Sequence, residues 1–305
     1  MVCSILYVHQ RGLFLEIIFD IILISCIAFL MFSTGLLVEP KEIISYFRND
    51  NFILTLRVVA ANIIIVPLLT SIALLSIPFE SHAALILFVL AISPAAPFIP
   101  AMVYLNKGDM NWALALIIIL TIISLITIPL MVYLGSILLL DIIGLKGMVI
   151  TSFLVNYIVP IFVPLIAAIG IKIYRRPWAD NLLPISKTLF KYLNLLLIIM
   201  ILVINYNQFS SLDTSIILIS IISCVVWALI GYVSVYPVAE TPQYITAIIT
   251  TGFRNFAVGL LLLDILANDK IVLLYIVPIS LITLGTCLIS SFFLPIFRKK
   301  VIPID

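Results

Sequence analysis

The chain has 305 residues, of which 64% are hydrophobic and only 10% charged, with a formal net charge of +2 and a mean hydropathy of +1.35. This composition excludes a water-soluble globule and predicts an all-α polytopic membrane protein, whose helices satisfy their own backbone where lipid offers no hydrogen bonds. It also argues against nucleic acid as a partner, because the basic residues sit mostly at the ends of apolar runs, where membrane topology uses them.

Crossing a hydrocarbon core of about 30 Å takes roughly 20 apolar residues, and nine runs qualify: 13–37, 52–77, 83–105, 110–140, 148–171, 192–209, 214–236, 244–266 and 271–297. The first run has neither a short basic leader nor a small-residue cleavage site, so it is expected to be a retained span. The fourth is too long for a straight perpendicular helix and is expected to tilt, kink near Pro129 or extend past the lipid. No soluble domain interrupts the series, and residues 1–305 read as one integral membrane domain. The four cysteines, Cys3, Cys26, Cys224 and Cys287, are widely spaced, form no CxxC pattern and read as reduced packing residues.

An odd number of spans puts the termini on opposite sides. Eleven basic residues (Lys41, Arg48, Lys107, Lys172, Arg175, Arg176, Lys187, Lys191, Arg298, Lys299 and Lys300) share the side of the C-terminus, against Arg11, Lys146 and Lys270 on the other. The positive-inside rule then predicts a cytoplasmic C-terminus and an external N-terminus in the cell (inner) membrane.

The third run contains SPAAPFIP, residues 93–100. Pro94, Pro97 and Pro100 each withhold a backbone N–H, which predicts a broken helix and leaves the carbonyls of Leu90, Ser93 and Ala96 without their helical donors. Such backbone persists at depth only where it lines a cavity or is covered by protein. The eighth run contains TTGFRN, residues 250–255, with an arginine in its middle. A central arginine costs about 2.5 to 3.5 kcal/mol on an insertion scale, so Arg254 is expected to face protein or a watery cavity. The plain alternative is a structural arginine capping carbonyls between helices.

Runs three and eight are five spans apart and therefore run in opposite directions. Paired interrupted segments of this kind are the sequence trace of an inverted repeat and point to a transporter's binding site; the repeats are expected at about 13–140 and 148–297. The candidate substrate-binding residues are Asn62, Ser93, Pro94, Pro97, Pro100, Thr250, Thr251, Arg254 and Asn255. The neutral polar ones have the chemistry that orients a ligand in an apolar pocket, and equally the chemistry that joins neighbouring helices.

The stretches ISPAAPFIPAMVYLNKGDMNWALAL and TTGFRNFAVGLLL, together with ANIIIVPLL, resemble the bile acid:sodium symporter family. The first looks like that family's first crossing helix and the turn after it, the second like its second crossing helix with the motif E-x-G-x-Q-N, and the third like its Q-x-x-x-x-P segment. The resemblance implies nine spans, a core domain with two discontinuous helices crossing at the midplane, a smaller panel domain, and substrate bound between them. It also implies sodium coupling, yet the matching positions have changed. The family's sodium-binding serine and asparagine fall on Ile99 and Pro100, hydroxyl positions of the next helix on Ala113 and Ile117, the glutamate on Thr250, and the glutamines on Arg254 and Asn62. Hard cations want several oxygens and preferably a carboxylate, so no sodium site and no other metal or cofactor is expected. Arg254 then either replaces the ion or holds the substrate's anionic group.

Arg57 lies near the cytoplasmic end of its span and is expected to snorkel. Glu16, Asp20 and Asp264 lie near external ends, where they either titrate in a proton-coupled cycle or are simply solvated. His9 and His82 fall outside the spans, and no intramembrane enzyme motif is present. The expected function is secondary transport of a small organic or steroid-like anion by alternating access. The lipid bilayer and that anion are the expected partners, and no obligate protein partner is evident. A channel, or a sensor or assembly protein without coupled transport, is the alternative.

Overall fold

The computed structural model describes residues 2–37, 39, 51–77, 79, 81–94, 96, 99–139, 158–204, 214–266 and 279. Among these residues there are eleven α-helices and one π-helical turn: α1 (Val2–Leu37), α2 (Asn51–Ala60), the π turn (Ala61–Ile65), α3 (Val66–Ser76), α4 (Ser81–Ala91), α5 (Ile99–Leu105), α6 (Met110–Leu138), α7 (Val159–Tyr174), α8 (Arg176–Ile204), α9 (Thr214–Val235), α10 (Thr241–Gly252) and α11 (Phe256–Leu266). Four described stretches are long and apolar enough to cross a membrane: Phe52–Ser76, Met110–Leu138, Ile217–Val235 and Thr241–Leu263. The ninth predicted span, 271–297, lies outside the described residues, apart from residue 279, and so do the first residues of the fifth.

The chain divides into two units, each assembled from two separate stretches. One contains residues 1–37 and 150–208. Here α1 and α7 approach so closely that a Cβ on Gly35 would lie 2.7 Å from both the Ala168 Cβ and the Leu165 carbonyl. The Ser186 hydroxyl sits within reach of the Phe29 carbonyl at 3.2 Å and the Ser33 hydroxyl at 2.7 Å, tying α8 to α1. Its one proton serves Phe29 when Ser33 donates to it. At the α7–α8 elbow Lys172 pairs with Asp180 at 3.6 Å.

Two helices here are longer than their apolar runs. The predicted sixth span began at 192, whereas α8 starts at Arg176. Its first half is two-sided: Ala179 and Ser186 are buried while Lys187 and Lys191 are exposed, which interrupts the apolar run without interrupting the helix. Likewise α1 begins at Val2 rather than near 13.

The other unit contains residues 38–149 and 209–305. Its helix α4 is buried on every side from Ala83 to Ala91, as a helix apolar all round should be. Helix α6 runs unbroken through Pro129. Between α5 and α6 the Lys-Gly-Asp sequence forms a Schellman stop: Lys107 has φ of 60°, its N–H reaches the Tyr104 carbonyl, and the Gly108 N–H reaches that of Val103 at 2.9 Å. Asp109 then caps α6, accepting the Trp112 N–H at 2.9 Å. Its own N–H donates to Thr246 Oγ1 at 2.9 Å, docking the turn on α10. Helix α10 lies against α9 at Gly231, where a Cβ would come within 2.5 Å of the Ala247 carbonyl oxygen.

Candidate functional site

The break between α4 and α5 follows from its prolines, but its carbonyls are not left open. The Leu90 carbonyl, denied a donor by Pro94, accepts the Ser93 N–H at 3.1 Å. The Ala96 carbonyl, denied one by Pro100, accepts the Ile99 N–H at 3.2 Å. The Ser93 carbonyl, whose helical donor would have been Pro97, accepts the Asn255 N–H at 2.8 Å. Protein backbone outside the regular helix therefore satisfies all three, as irregular backbone covered by protein must be. Pro94 is buried in the break, Pro100 is half-buried at the second residue of α5, and Pro97 lies outside the described residues.

The second break is narrower than the predicted 250–255. Thr250, Thr251 and Gly252 complete α10, and only Phe253, Arg254 and Asn255 are non-helical. The helix resumes because Asn255 caps it: its Oδ1 accepts the Val258 N–H at 3.2 Å and its carbonyl the Gly259 N–H at 2.9 Å. Asn255 thus joins the two breaks through its N–H and restarts α11 through its side chain.

A third irregularity was not foreseen. The Val66 N–H bonds the Ala61 carbonyl, a π rather than an α step, so it does not close the α turn on Asn62. The next donor along would be residue 67, and Pro67 has none. The Asn62 carbonyl is thereby released, and Arg254 Nη1 reaches it at 3.4 Å while also reaching Asn62 Oδ1 at 3.3 Å. The Asn62 amide donates from Nδ2 to the Val58 carbonyl at 2.9 Å and to Thr251 Oγ1 at 3.0 Å. π-Helical turns of this kind recur at functional sites because they free backbone groups.

Arg254 is only 8% exposed. Its guanidinium stands 5.3 Å over the Trp227 ring, and that indole is held by a hydrogen bond from Nε1 to Thr70 Oγ1 at 3.2 Å. Neither Nε nor Nη2 of Arg254 has a hydrogen-bond partner among the described residues, and the buried Thr250 Oγ1 has none either. The structure thus brings Asn62, Thr251 and Arg254 together by side chain, and Ser93 to Asn255 by backbone. The Ser93 hydroxyl turns back to the Val89 carbonyl at 2.7 Å. Trp227 and Thr70 were missed by sequence reasoning; a tryptophan inside an apolar run carries no signal beyond its type. Arg57 is exposed on α2.

Among the positions matched to sodium ligands, Ile99, Ala113 and Ile117 belong to one buried apolar cluster with Leu116, Leu120, Ile249 and Phe253. None of them carries a side-chain oxygen. Among the described residues no group of three or more His, Cys, Asp or Glu side chains comes together.

The model of the sodium bile acid symporter family matches residues 24–217, more than half of the chain. The chain belongs to this family. Membership makes it a membrane protein of a transporter family, and the four long apolar stretches fit this, with helices the only regular structure among the described residues. No curated protein gives a match. The family match takes in Asn62, Ser93 and the three prolines and ends before Thr250, Thr251, Arg254 and Asn255, so the arginine side of the site rests on the geometry above.

Proposed function

We propose that this symporter-family protein is a secondary transporter that moves a small organic anion by alternating access, without sodium. One observation carries the reading: a buried guanidinium lies beside the point where two broken helices are hydrogen-bonded to each other, at Asn255 N–H and the Ser93 carbonyl. Paired broken helices from two halves of a chain are the usual framework of a transport site. They support inverted repeats at about 13–140 and 148–297, with the unit of residues 38–149 and 209–305 as the core and the other as the panel. The basic-residue asymmetry supports a cytoplasmic C-terminus and an external N-terminus in the cell (inner) membrane.

The loss of sodium follows from the same residues. Two oxygens suited to a cation, the Asn62 carbonyl and Oδ1, are taken by Arg254 Nη1, and apolar side chains fill three further positions. A covalently attached cation stands where a mobile one would have to bind. Positive charge at the crossing makes the region attractive to anions, and a steroid-like body would suit the apolar surroundings.

The test is flux into proteoliposomes of carboxylated and sulfonated solutes, each with a sodium gradient, a proton gradient and none. Uphill accumulation of an anion without sodium is the expected result. Equilibration that never exceeds the outside concentration would make the protein a channel, and no flux of any solute would leave a sensor or assembly role.

A further inference from the structure

We propose that the Nε–Nη2 edge of Arg254, together with the Thr250 hydroxyl, is a receptor for one carboxylate group. A guanidinium has five N–H donors in a rigid plane. In this protein Nη1 is committed to Asn62 and a face of the plane to Trp227. What remains is one edge, where the Nε–H and one Nη2–H point the same way, side by side. Two parallel donors match the two oxygens of a carboxylate in a forked pair.

Among the described residues that edge makes no hydrogen bond, although the group is more than nine-tenths buried. Burying an ionised group without a partner is among the most unfavourable arrangements in a protein interior, and among the described residues no carboxylate pairs with this one. Asp109 holds the Trp112 N–H, Asp180 holds Lys172, and Glu240 belongs to the capping box of α10. None of these side chains complements the guanidinium edge, and a bound carboxylate would. Thr250, fully buried with its hydroxyl likewise unpartnered, precedes Arg254 by four residues and is assigned to the same receptor as a third donor. As a statement about substrate the site rests on the transporter reading, for it says that the moved anion carries a carboxylate; as a binding site it is measured without transport.

Trp227 makes the site visible, since an anion on the guanidinium changes the field over the indole. Purified full-length protein in lipid nanodiscs would be titrated with acetate, with cholate and with methanesulfonate. Choline chloride serves as the ionic-strength control, and tryptophan emission is read against the Trp227→Phe variant to remove Trp112 and Trp178. Saturable changes with acetate and cholate, exceeding those with methanesulfonate, are expected. Arg254→Gln and Arg254→Lys should each weaken binding by about 10- to 100-fold, because lysine keeps the charge and loses the fork. Thr250→Val, which keeps the shape of the side chain, should weaken it by several-fold. Tighter binding of cholate than acetate assigns part of the affinity to the ligand's body, and equal binding assigns it to the carboxylate; both support the site. A response to methanesulfonate as strong as to acetate, no saturable response, or unchanged binding by Arg254→Lys and Thr250→Val would overturn it. Binding without flux would overturn the transporter reading alone, and flux with binding indifferent to Arg254 would overturn this proposal alone.

Discussion

Replacing Asn62 by leucine tests the link between the π turn and the buried arginine. Asn62 is fully buried, and leucine repeats its branching, so no cavity opens and the effect is polar. Three contacts disappear: Nδ2 to Thr251 Oγ1 at 3.0 Å, Nδ2 to the Val58 carbonyl at 2.9 Å, and Oδ1 from Arg254 Nη1 at 3.3 Å. Neutral bonds between membrane helices average about 0.6 kcal/mol, while one to a charged group is worth about 1.5 to 3 kcal/mol. The last is long, and the backbone carbonyl at 3.4 Å survives the substitution, which favours the lower end. A loss of about 2 to 4 kcal/mol follows, and at about 2–4 °C per kcal/mol for a unit of roughly 200 residues it lowers the melting temperature by about 5–15 °C. A thiol-reactive dye reports this unfolding in a variant that keeps only the buried Cys224. Asn62→Asp supplies the same acceptor with a full charge beside Arg254, so its melting point should fall between wild type and Asn62→Leu. An Asn62→Leu variant that melts with the wild type, or an Asn62→Asp variant less stable than the leucine one, would refute the reasoning.

Gly231→Ala should destabilise by about 1–3 kcal/mol, because its Cβ meets a backbone oxygen at 2.5 Å, whereas Gly252→Ala, with its nearest neighbour the Ala228 Cβ at 3.2 Å, should be much milder; the same dye assay ranks them. Uptake of a transported anion should be equal in sodium and in choline, and a requirement for sodium would show that a cation site exists despite the apolar residues at Ile99, Ala113 and Ile117. Arg57→Gln should leave uptake within about twofold of wild type, as expected of an exposed side chain that snorkels. Cysteine tags at the two termini should label from opposite faces of the membrane, and labelling of both from one face would refute an odd number of spans.

The solvent was legible in the composition, since a chain this apolar with so few charges has no soluble fold available. So were the positions of the breaks: a proline lacks its N–H in any surroundings, and a mid-span arginine cannot face lipid. What neither residue states is its partner. The carbonyl freed at Ser93 is satisfied by the N–H of Asn255, and the arginine finds an oxygen 192 positions away, on Asn62. That oxygen is free only because a π step and Pro67 coincide, and the indole over the guanidinium comes from a different span again. The length of α8 was hidden for the same kind of reason, because exposed lysines on one face read as the end of an apolar run until the buried face is seen. Local chemistry decides where a backbone must break or a charge must hide; only the packing of distant segments decides which groups meet it there, and which edge of Arg254 has no partner among the described residues.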